Sequence, residues 1–487
     1  MPLSGHPCEY PAFHCWRLPA MSGINAANLI RCKPVVQHAA RDPGLNRSMG
    51  VWQLAMLGVG GTIGTGIFVA FNTAVPEAGP AVIIAFVIAG ITAALTAFCY
   101  AELSSVLPES GSSYAYAYAT LGELAAFMIG ACLLLEYTVS GSAVAVGWGQ
   151  YLNELLVDLT GHALPDAIAQ PPGHGGYFNL PAVLLVMSCM VLLLRGVRES
   201  AAVNVILVLA KLAVLALFAV IAFTAFNMRH LHPFAPKGVA GIGSAASTIF
   251  FSYIGLDVVS TAGDEARDPQ RTLPRGIILA LLIVTGAYVL VAIAAVGAQP
   301  WTQFAGQDAG LAVILRNITG QAWPSEVLSL GAVVSIFSVT LVIIYGQTRI
   351  LFAMSRDGLL PKLFQQVNPT TKTPTWNTVI VSGVIALLAA FVPLDVLTNL
   401  TSLGTLAAFA VVSGGVIILR RTRPDLPRLY KAPFYPVLPA VSVLFCLYLI
   451  GSLPWITHLM FVVWLAVAAL FYFSYSHRRS VLALGSE

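Results

Sequence analysis

The chain alternates between long apolar stretches and short polar segments over most of its length. A helix needs about 20 predominantly apolar residues to cross a bilayer, and the stretches reach or approach that length. The pattern therefore predicts twelve membrane-spanning helices. They lie near residues 51–72, 80–107, 121–152, 179–196, 200–226, 243–263, 275–298, 327–354, 376–392, 397–420, 434–453 and 458–477.

The composition excludes a soluble enzyme. Of the 487 residues, 57% are hydrophobic and only 9% are charged, whereas soluble domains carry about 25% charged residues. The net charge of +4 gives no reason to expect a nucleic-acid partner. The sequence has no cluster of His, Cys, Asp and Glu with metal-ligand spacing and no Gly-x-Ser-x-Gly motif, so we expect no metal, no cofactor and no enzyme activity. The predicted fold class is an all-α polytopic membrane protein.

The positions of lysine and arginine predict the orientation. If both termini face the cytoplasm, 21 of the 25 cations fall in cytoplasmic segments, and only Arg229, Lys237 and Arg316 lie in loops on the other side. An excess of cations is typical of cytoplasmic loops. We therefore expect a multi-pass protein of the cytoplasmic (inner) membrane, surrounded by lipid, with both termini inside.

The first and sixth predicted helices are interrupted at corresponding places, which indicates the midplane site of a transporter. Helices one to five and six to ten cover similar lengths, and five helices per unit would give the two units opposite orientations, as a five-plus-five inverted repeat. The predicted divisions are a cytoplasmic tail at 1–49, of which 1–20 could be a dispensable extension, repeats at 50–226 and 243–420, two helices within 421–477, and a cytoplasmic tail at 478–487.

The two interruptions suit an amino acid ligand. A helix that unwinds inside the membrane exposes N–H and C=O groups that lipid cannot satisfy and a polar ligand can. Amides at the start of the half-helix near Gly66 would attract a carboxylate. Carbonyls before this interruption and near Ile254 would accept from an ammonium group. Alternatively, the four glycines of residues 60–66 only permit close helix packing.

Four further residues are candidates inside the membrane. Lys211 lies deep in an apolar helix, where desolvation lowers the proton affinity of lysine, so it is a candidate proton carrier. Alternatively, it is a permanent charge paired with Glu136 or Asp257. These two carboxylates would support Lys211, orient an ammonium group, or hydrogen-bond to backbone. Phe251 would close over a substrate or simply pack.

Several motifs resemble a known family. The sequence reads Gly-Thr-Ile-Gly-Thr-Gly-Ile-Phe at 61–68, Leu-Glu-Tyr-Thr-Val at 135–139, Phe-Phe-Ser-Tyr-Ile-Gly-Leu-Asp at 250–257 and Met-Ser-Arg-Asp-Gly-Leu-Leu-Pro at 354–361. These motifs resemble the amino acid-polyamine-organocation superfamily, and in particular bacterial members of its cationic amino acid transporter family. The resemblance implies transport by alternating access around broken helices one and six.

The same resemblance implies roles for individual residues. The substrate carboxylate would meet the amides of Thr65 and Gly66, beside Gly64. The ammonium group would meet the carbonyls of Thr62, Ile63 and Ile254. Phe251 would be the gating aromatic. Lys211 matches a lysine that proton-coupled relatives carry in helix five, which implies a proton as the coupling ion.

The substrate side chain is expected to meet helix eight near Ile336, where the sequence offers bulk and little polarity. This favours small or apolar neutral amino acids, because a cationic side chain would need an acceptor. We therefore expect a proton-coupled importer of neutral L-amino acids. The alternatives are an exchanger or uniporter of arginine and lysine, and an amino acid sensor that does not transport.

Overall fold

The computed structural model describes residues 49–107, 112–172, 175–196, 201–261, 266–307, 309–368 and 373–484. The extension suggested at 1–20, almost all of the tail at 1–49 and the last three residues of the tail at 478–487 lie outside this part of the chain. The described residues are predominantly helical and form no β-strand beyond a single bridge between Met49 and Ala266, which confirms the all-α prediction.

Sixteen helices of the described residues are numbered in chain order. They are α1 Val51–Thr62, α2 Thr65–Ala78, α3 Val82–Val106, α4 Ser112–Thr120, α5 Glu123–Thr160, α6 Leu180–Leu194, α7 Ala201–Thr224, α8 Gly238–Ile249, α9 Val258–Thr261, α10 Pro269–Ala298, α11 Gly310–Thr319, α12 Trp323–Arg356, α13 Thr375–Phe391, α14 Leu394–Thr422, α15 Val437–Gly451 and α16 Trp455–Phe471. Short helical segments also occur at Asp166–Ala169, His477–Arg479 and Val481–Leu484.

The described helices make this a polytopic membrane protein. Eight segments are long and apolar enough to cross a membrane, and α6, α13 and α15 are shorter apolar helices in further predicted windows. Each of the twelve windows contains a described helix. Large apolar side chains such as Leu282, Leu387 and Val462 are exposed, as expected for a surface that faces lipid.

Several helical features of the described residues lie outside the predicted windows. Helices α4 and α11 occupy predicted loops, and α5 continues eight residues beyond its window, to Thr160. The extension contains Asn153, Glu154 and Asp158. Apolar windows detect only the part of a helix that crosses lipid, so they miss polar extensions and short amphipathic helices.

The two halves of the chain interleave. Helix α5 of the first half packs against α12 and α14 of the second, and α10 of the second half packs against α1 and α3 of the first. The helices that precede and follow both interruptions therefore lie within one shared core. This arrangement places the candidate site between the two halves.

The described ends of the chain lie on the side of α4, which packs against α9 and donates the Tyr114 hydroxyl to Asp357 Oδ2 over 2.8 Å; this side is called here the terminal face. Arg267 donates its backbone N–H to the Met49 carbonyl over 3.0 Å. Near the other end, the Ser480 hydroxyl donates to the Glu123 carboxylate over 2.5 Å. The side that carries the connection between α2 and α3 and the helix α11 is called the opposite face.

A buried ion pair stabilises the terminal face. Glu102 in α3 accepts from Arg420 Nε over 2.7 Å and from Arg420 Nη2 over 2.6 Å. It also accepts from the backbone N–H of Ala432 over 2.8 Å. Such two-pronged contacts fix geometry as well as supplying attraction. Glu102 therefore joins α3 to the end of α14 and to the loop that follows it.

Candidate substrate site

The first interruption is confined to two residues. Helix α1 ends at Thr62, Ile63 is extended with ψ of 95°, and α2 begins at Thr65, immediately after Gly64. The half-helix predicted to begin near Gly66 begins at Thr65, and Gly60 and Gly61 remain helical. The amides of the first turn of α2 have no partner within their own helix, as at any helix start.

The second interruption is longer. Residues Phe250–Tyr253 form a 3-10 turn after α8, Ile254 is extended, and Gly255 has φ of +95°. Helix α9 then begins at Val258. A positive φ is strained for residues with a Cβ atom, so Gly255 permits this path of the chain.

The two interruptions lie against each other. A Cβ atom at Gly255 would be 2.5 Å from the Gly61 carbonyl oxygen, and one at Gly66 would be 2.4 Å from the Ser252 Cα atom. These glycines therefore allow backbone to approach backbone. Unwinding and close packing, which the sequence offered as alternatives, occur together at this point.

A cavity lies at this junction. Its lining comprises Gly61, Thr62, Gly64, Gly66, Tyr137, Ser140, Val144, Phe251, Ile254, Gly255, Val258, Val339, Val342 and Ile343. Five predicted site residues belong to this lining: Thr62, Gly64, Gly66, Phe251 and Ile254. The lining also contains side chains of α5 and α12 that the sequence analysis did not identify.

Three predicted binding residues lie outside the lining. Thr65 begins α2 directly beside the cavity, and Ile63 has a fully buried side chain. Ile336 is also fully buried, but the part of α12 that lines the cavity contains Val339, Val342 and Ile343. Ile336, the predicted selectivity position, is thus about one helical turn closer to the opposite face than the cavity lining. The spacing of apolar residues shows which stripe of a helix faces inward, but it does not show how deep the cavity lies.

Lys211 reaches the first broken helix. Its side chain is 1% exposed, and Nζ donates to the Gly60 carbonyl over 2.9 Å. A Cβ atom at Gly60 would lie 2.7 Å from Asn204 Oδ1 and 3.0 Å from Val208 Cγ2. The glycine therefore lets α7 approach α1, and this approach brings the lysine to a carbonyl three residues before the interruption.

The two predicted carboxylates lie behind the cavity wall. Tyr137 lines the cavity and donates its hydroxyl to Asp257 Oδ2 over 3.3 Å. Glu136 is 1% exposed, and its Oε1 atom has no hydrogen-bond partner among the described residues. Their predicted pairing with Lys211 stays a prediction.

Tyr288 is a residue that the sequence analysis missed. Its buried hydroxyl lies 2.9 Å from the Thr62 carbonyl oxygen and 2.8 Å from the Ser252 carbonyl oxygen, so one donor faces both interruptions. A tyrosine in the middle of the apolar stretch at 275–298 is the signal that could have found it, because a hydroxyl inside a membrane needs a partner.

We expect Tyr288→Phe to raise the KM for substrate about tenfold with a smaller change in turnover. The substitution keeps the ring and removes the donor, so the two carbonyls lose a shared partner and the interruptions lose their fixed spacing. A tenfold rise in KM corresponds to the loss of one buried hydrogen bond of about 1.4 kcal/mol. Uptake kinetics in proteoliposomes measure both constants. The matched control is Tyr151→Phe, since Tyr151 is equally buried but donates to Phe68 within α2 over 2.8 Å. Equal KM changes in both variants would contradict a specific role for Tyr288.

Broken helices that meet around a cavity inside the helix bundle are typical of secondary transporters. The comparisons with known proteins agree with this class. A family model described as amino acid permease matches residues 49–474. The chain belongs to this family, within the amino acid-polyamine-organocation superfamily, and it is a transporter, not an enzyme.

Individual relatives cover most of the chain. A branched-chain amino acid permease of Bacillus subtilis (strain 168) is 44% identical over 445 residues, which is 91% of this chain and 95% of the relative. A methylthioribose transporter of the same organism is 43% identical over 462 residues, covering 94% and 99%. The vacuolar cationic amino acid transporter 4 of Arabidopsis thaliana is 35% identical over 411 residues, covering 82% and 68%.

Proposed function

We propose that this amino acid permease imports small or apolar neutral L-amino acids together with protons by alternating access. The observation that supports the substrate class best is the side-chain wall of the cavity. Val144, Val339, Val342 and Ile343 line it, and no Asp or Glu belongs to the described lining. A cationic side chain would be buried there without a counter-charge, which is costly.

The backbone at the interruptions supports an amino acid rather than an uncharged ligand. The first turn of α2 presents amides and the positive end of the helix dipole, which favour a carboxylate. The carbonyls of Ile63 and Ile254 are candidate acceptors for the ammonium group. The Thr62 carbonyl accepts from Tyr288 and has a second lone pair for the ligand.

Proton coupling is supported by the position of Lys211. Burial disfavours the charged form of a lysine, and contact with water favours it. In the proposed cycle, Lys211 therefore binds and releases a proton as the site beside the first interruption opens to each side. The Lys211 Nζ atom donates to the Gly60 carbonyl, so the charge of the lysine acts on the geometry of the broken helix. In the proposed cycle, Phe251 is the aromatic gate. The two units of a five-plus-five inverted repeat move relative to each other, and both termini lie in the cytoplasm.

The names of the relatives define the alternatives. A branched-chain substrate agrees with the apolar wall, whereas the relative named as a cationic amino acid transporter favours arginine and lysine as substrates. These would be moved by an exchanger or a uniporter. The second Bacillus relative suggests methylthioribose. This thiosugar carries neither an ammonium nor a carboxylate group, so it would not use the opposite poles of the two interruptions.

The test is uptake of alanine, leucine, isoleucine, lysine, arginine and methylthioribose into proteoliposomes, with and without an inward proton gradient. We expect accumulation of the neutral amino acids only with the gradient, and its loss when a protonophore is added. Uptake that requires an internal amino acid and ignores the gradient would indicate an exchanger. Preferred uptake of lysine and arginine, or of methylthioribose, would refute the proposed substrate class, and binding without uptake would indicate a sensor.

A further inference from the structure

Three amide side chains meet beneath α11 on the opposite face. Asn72 lies in α2, Gln299 follows α10, and Gln307 precedes α11. Gln299 Nε2 donates to Gln307 Oε1 over 3.2 Å. A Cβ atom at Gly310, the first residue of α11, would lie 2.3 Å from Asn72 Oδ1 and 3.8 Å from Gln307 Oε1. The amides therefore surround the start of α11.

Much of the hydrogen-bonding capacity of this cluster is unused in the described conformation. Asn72 Nδ2, Asn72 Oδ1 and Gln299 Oε1 are buried without a hydrogen-bond partner in the described part of the chain. Gln299 is only 5% exposed. An unsatisfied buried polar group destabilises the conformation that contains it. Three such atoms in one place indicate that another conformation, or a ligand, satisfies them.

Helix α11 covers the cluster. It packs against α2, α7 and α12. Arg316 attaches it to α5, with Nη2 2.7 Å from Glu154 Oε1 and Nη1 3.0 Å from Asp158 Oδ1. A ligand from the opposite face can therefore meet the amides only when α11 moves away from α2.

The unused atoms match the backbone groups of an amino acid. Two are acceptors suited to an ammonium group, and the third is an NH₂ donor suited to a carboxylate. All three atoms belong to uncharged side chains. They therefore suit the zwitterionic backbone of an amino acid, whatever its side chain. Asn72 lies seven residues after Thr65 in α2, which places it about 10 Å along the helix from the cavity.

We propose that Asn72, Gln299 and Gln307 form an outer station that binds the zwitterionic amino acid before it reaches the central cavity. The station is open when α11 lifts from α2 and closed in the conformation described. This inference rests on the proposed transport of amino acids and adds a second binding position to its path. It also explains why polar groups that cost stability in the closed conformation are present.

Asn72→Leu tests the station, because leucine has the same branched shape and no polar atoms. We expect the KM for the amino acid supplied at the opposite face to rise about tenfold, the loss expected for one good polar contact. The KM for substrate supplied at the terminal face should stay within twofold. Without a gradient, Vmax/KM must be equal in both directions, so with Vmax from the opposite face unchanged, Vmax from the terminal face should fall by the same factor. Vesicles in which the protein is inserted in one orientation or the other give KM and Vmax for substrate supplied at each face.

Thermal unfolding separates the station from a packing role. We expect the Tm of substrate-free Asn72→Leu protein to be unchanged or higher, because the substitution removes unsatisfied buried atoms. Gln299→Leu should show the same one-sided KM change and is the second variant if the first expresses poorly. The matched control is Asn179→Leu. Asn179 is a buried amide of the same face whose Oδ1 accepts from Ala182 N over 3.1 Å, so its loss should lower the Tm without a one-sided KM change.

Two results would overturn the station while leaving the transport function intact. One is normal wild-type uptake together with KM values in Asn72→Leu and Gln299→Leu that stay at the wild-type values at both faces. The other is a lowered Tm with KM raised equally from both sides, which would indicate packing. Absence of amino acid transport by the wild-type protein would overturn the proposed function and the station together.

Discussion

Lys211→Met should abolish the accumulation of amino acid that an inward proton gradient drives, while exchange of internal for external amino acid continues. Methionine fills the same apolar surroundings and cannot carry a proton. Lys211 is almost fully buried and its Nζ atom lies 2.9 Å from the Gly60 carbonyl oxygen, so its charge acts directly on the first broken helix. Accumulation ratios and counterflow in the same proteoliposomes measure the two activities.

Lys211→Arg distinguishes a proton carrier from a permanent charge. Arginine keeps the positive charge but does not lose its proton in proteins. If Lys211 carries the proton, Lys211→Arg should also lose driven accumulation. If the lysine is only a fixed charge, Lys211→Arg should retain accumulation and the coupling role would be wrong. Lys237→Met is the control, because Lys237 forms a half-exposed ion pair with Glu77 on the surface.

Gly66→Ala should reduce transport by at least a hundredfold and lower the Tm. The new Cβ atom would lie 2.4 Å from Ser252 Cα and 2.8 Å from Ser252 Cβ, so the two interruptions would have to separate. Overpacking of this kind costs about 1–3 kcal/mol in a core. The effect on transport is expected to be larger than that on stability, because the displaced backbone itself forms the binding site. Uptake normalised to folded protein, together with thermal unfolding, checks both parts.

Glycines in open surroundings supply the control. Gly383 in α13 and Gly414 in α14 would place a Cβ atom with no heavy atom within 4 Å. Alanine is favoured over glycine in a helix by about 1 kcal/mol, so Gly383→Ala and Gly414→Ala should keep transport and retain or raise the Tm. Near-normal transport by Gly66→Ala would show that the interruptions separate easily and that their close contact is not required.

The sequence predicted some parts of the site because their chemistry is local. Glycine-rich interruptions in apolar helices and a lysine far from either helix end stand out in any reading of the chain, and Gly66, Phe251 and Ile254 do lie at the cavity. Tyr137 and Val339 were not identified as site residues, although Tyr137 lies within one of the motifs that carry the resemblance. Their residue types are common in membrane helices, and only the packing of α5 against α12 brings them to the same wall.

Tyr288 is a second example of a contact that the sequence does not show. The sequence indicates that a hydroxyl lies within a membrane helix and needs a partner, but it does not indicate which carbonyl accepts. In the structure the partners are Thr62 and Ser252, which are 226 and 36 residues away in the sequence. Such a contact depends on how three helices pack, which no local pattern records.

The sequence by itself determined the all-α membrane class, the positions of the twelve apolar windows, the two interruptions and the membership of a transporter family. The class, the windows and the interruptions follow from hydrophobicity and glycine content, and the family follows from motifs that resemble its members; all of these are properties of neighbouring residues. Only the tertiary structure decided that the interruptions touch through Gly66 and Gly255, that α12 lines the cavity beyond Ile336, and that Asn72 lies beneath α11. The physical reason is that side chains become neighbours through close packing of helices that are distant in sequence.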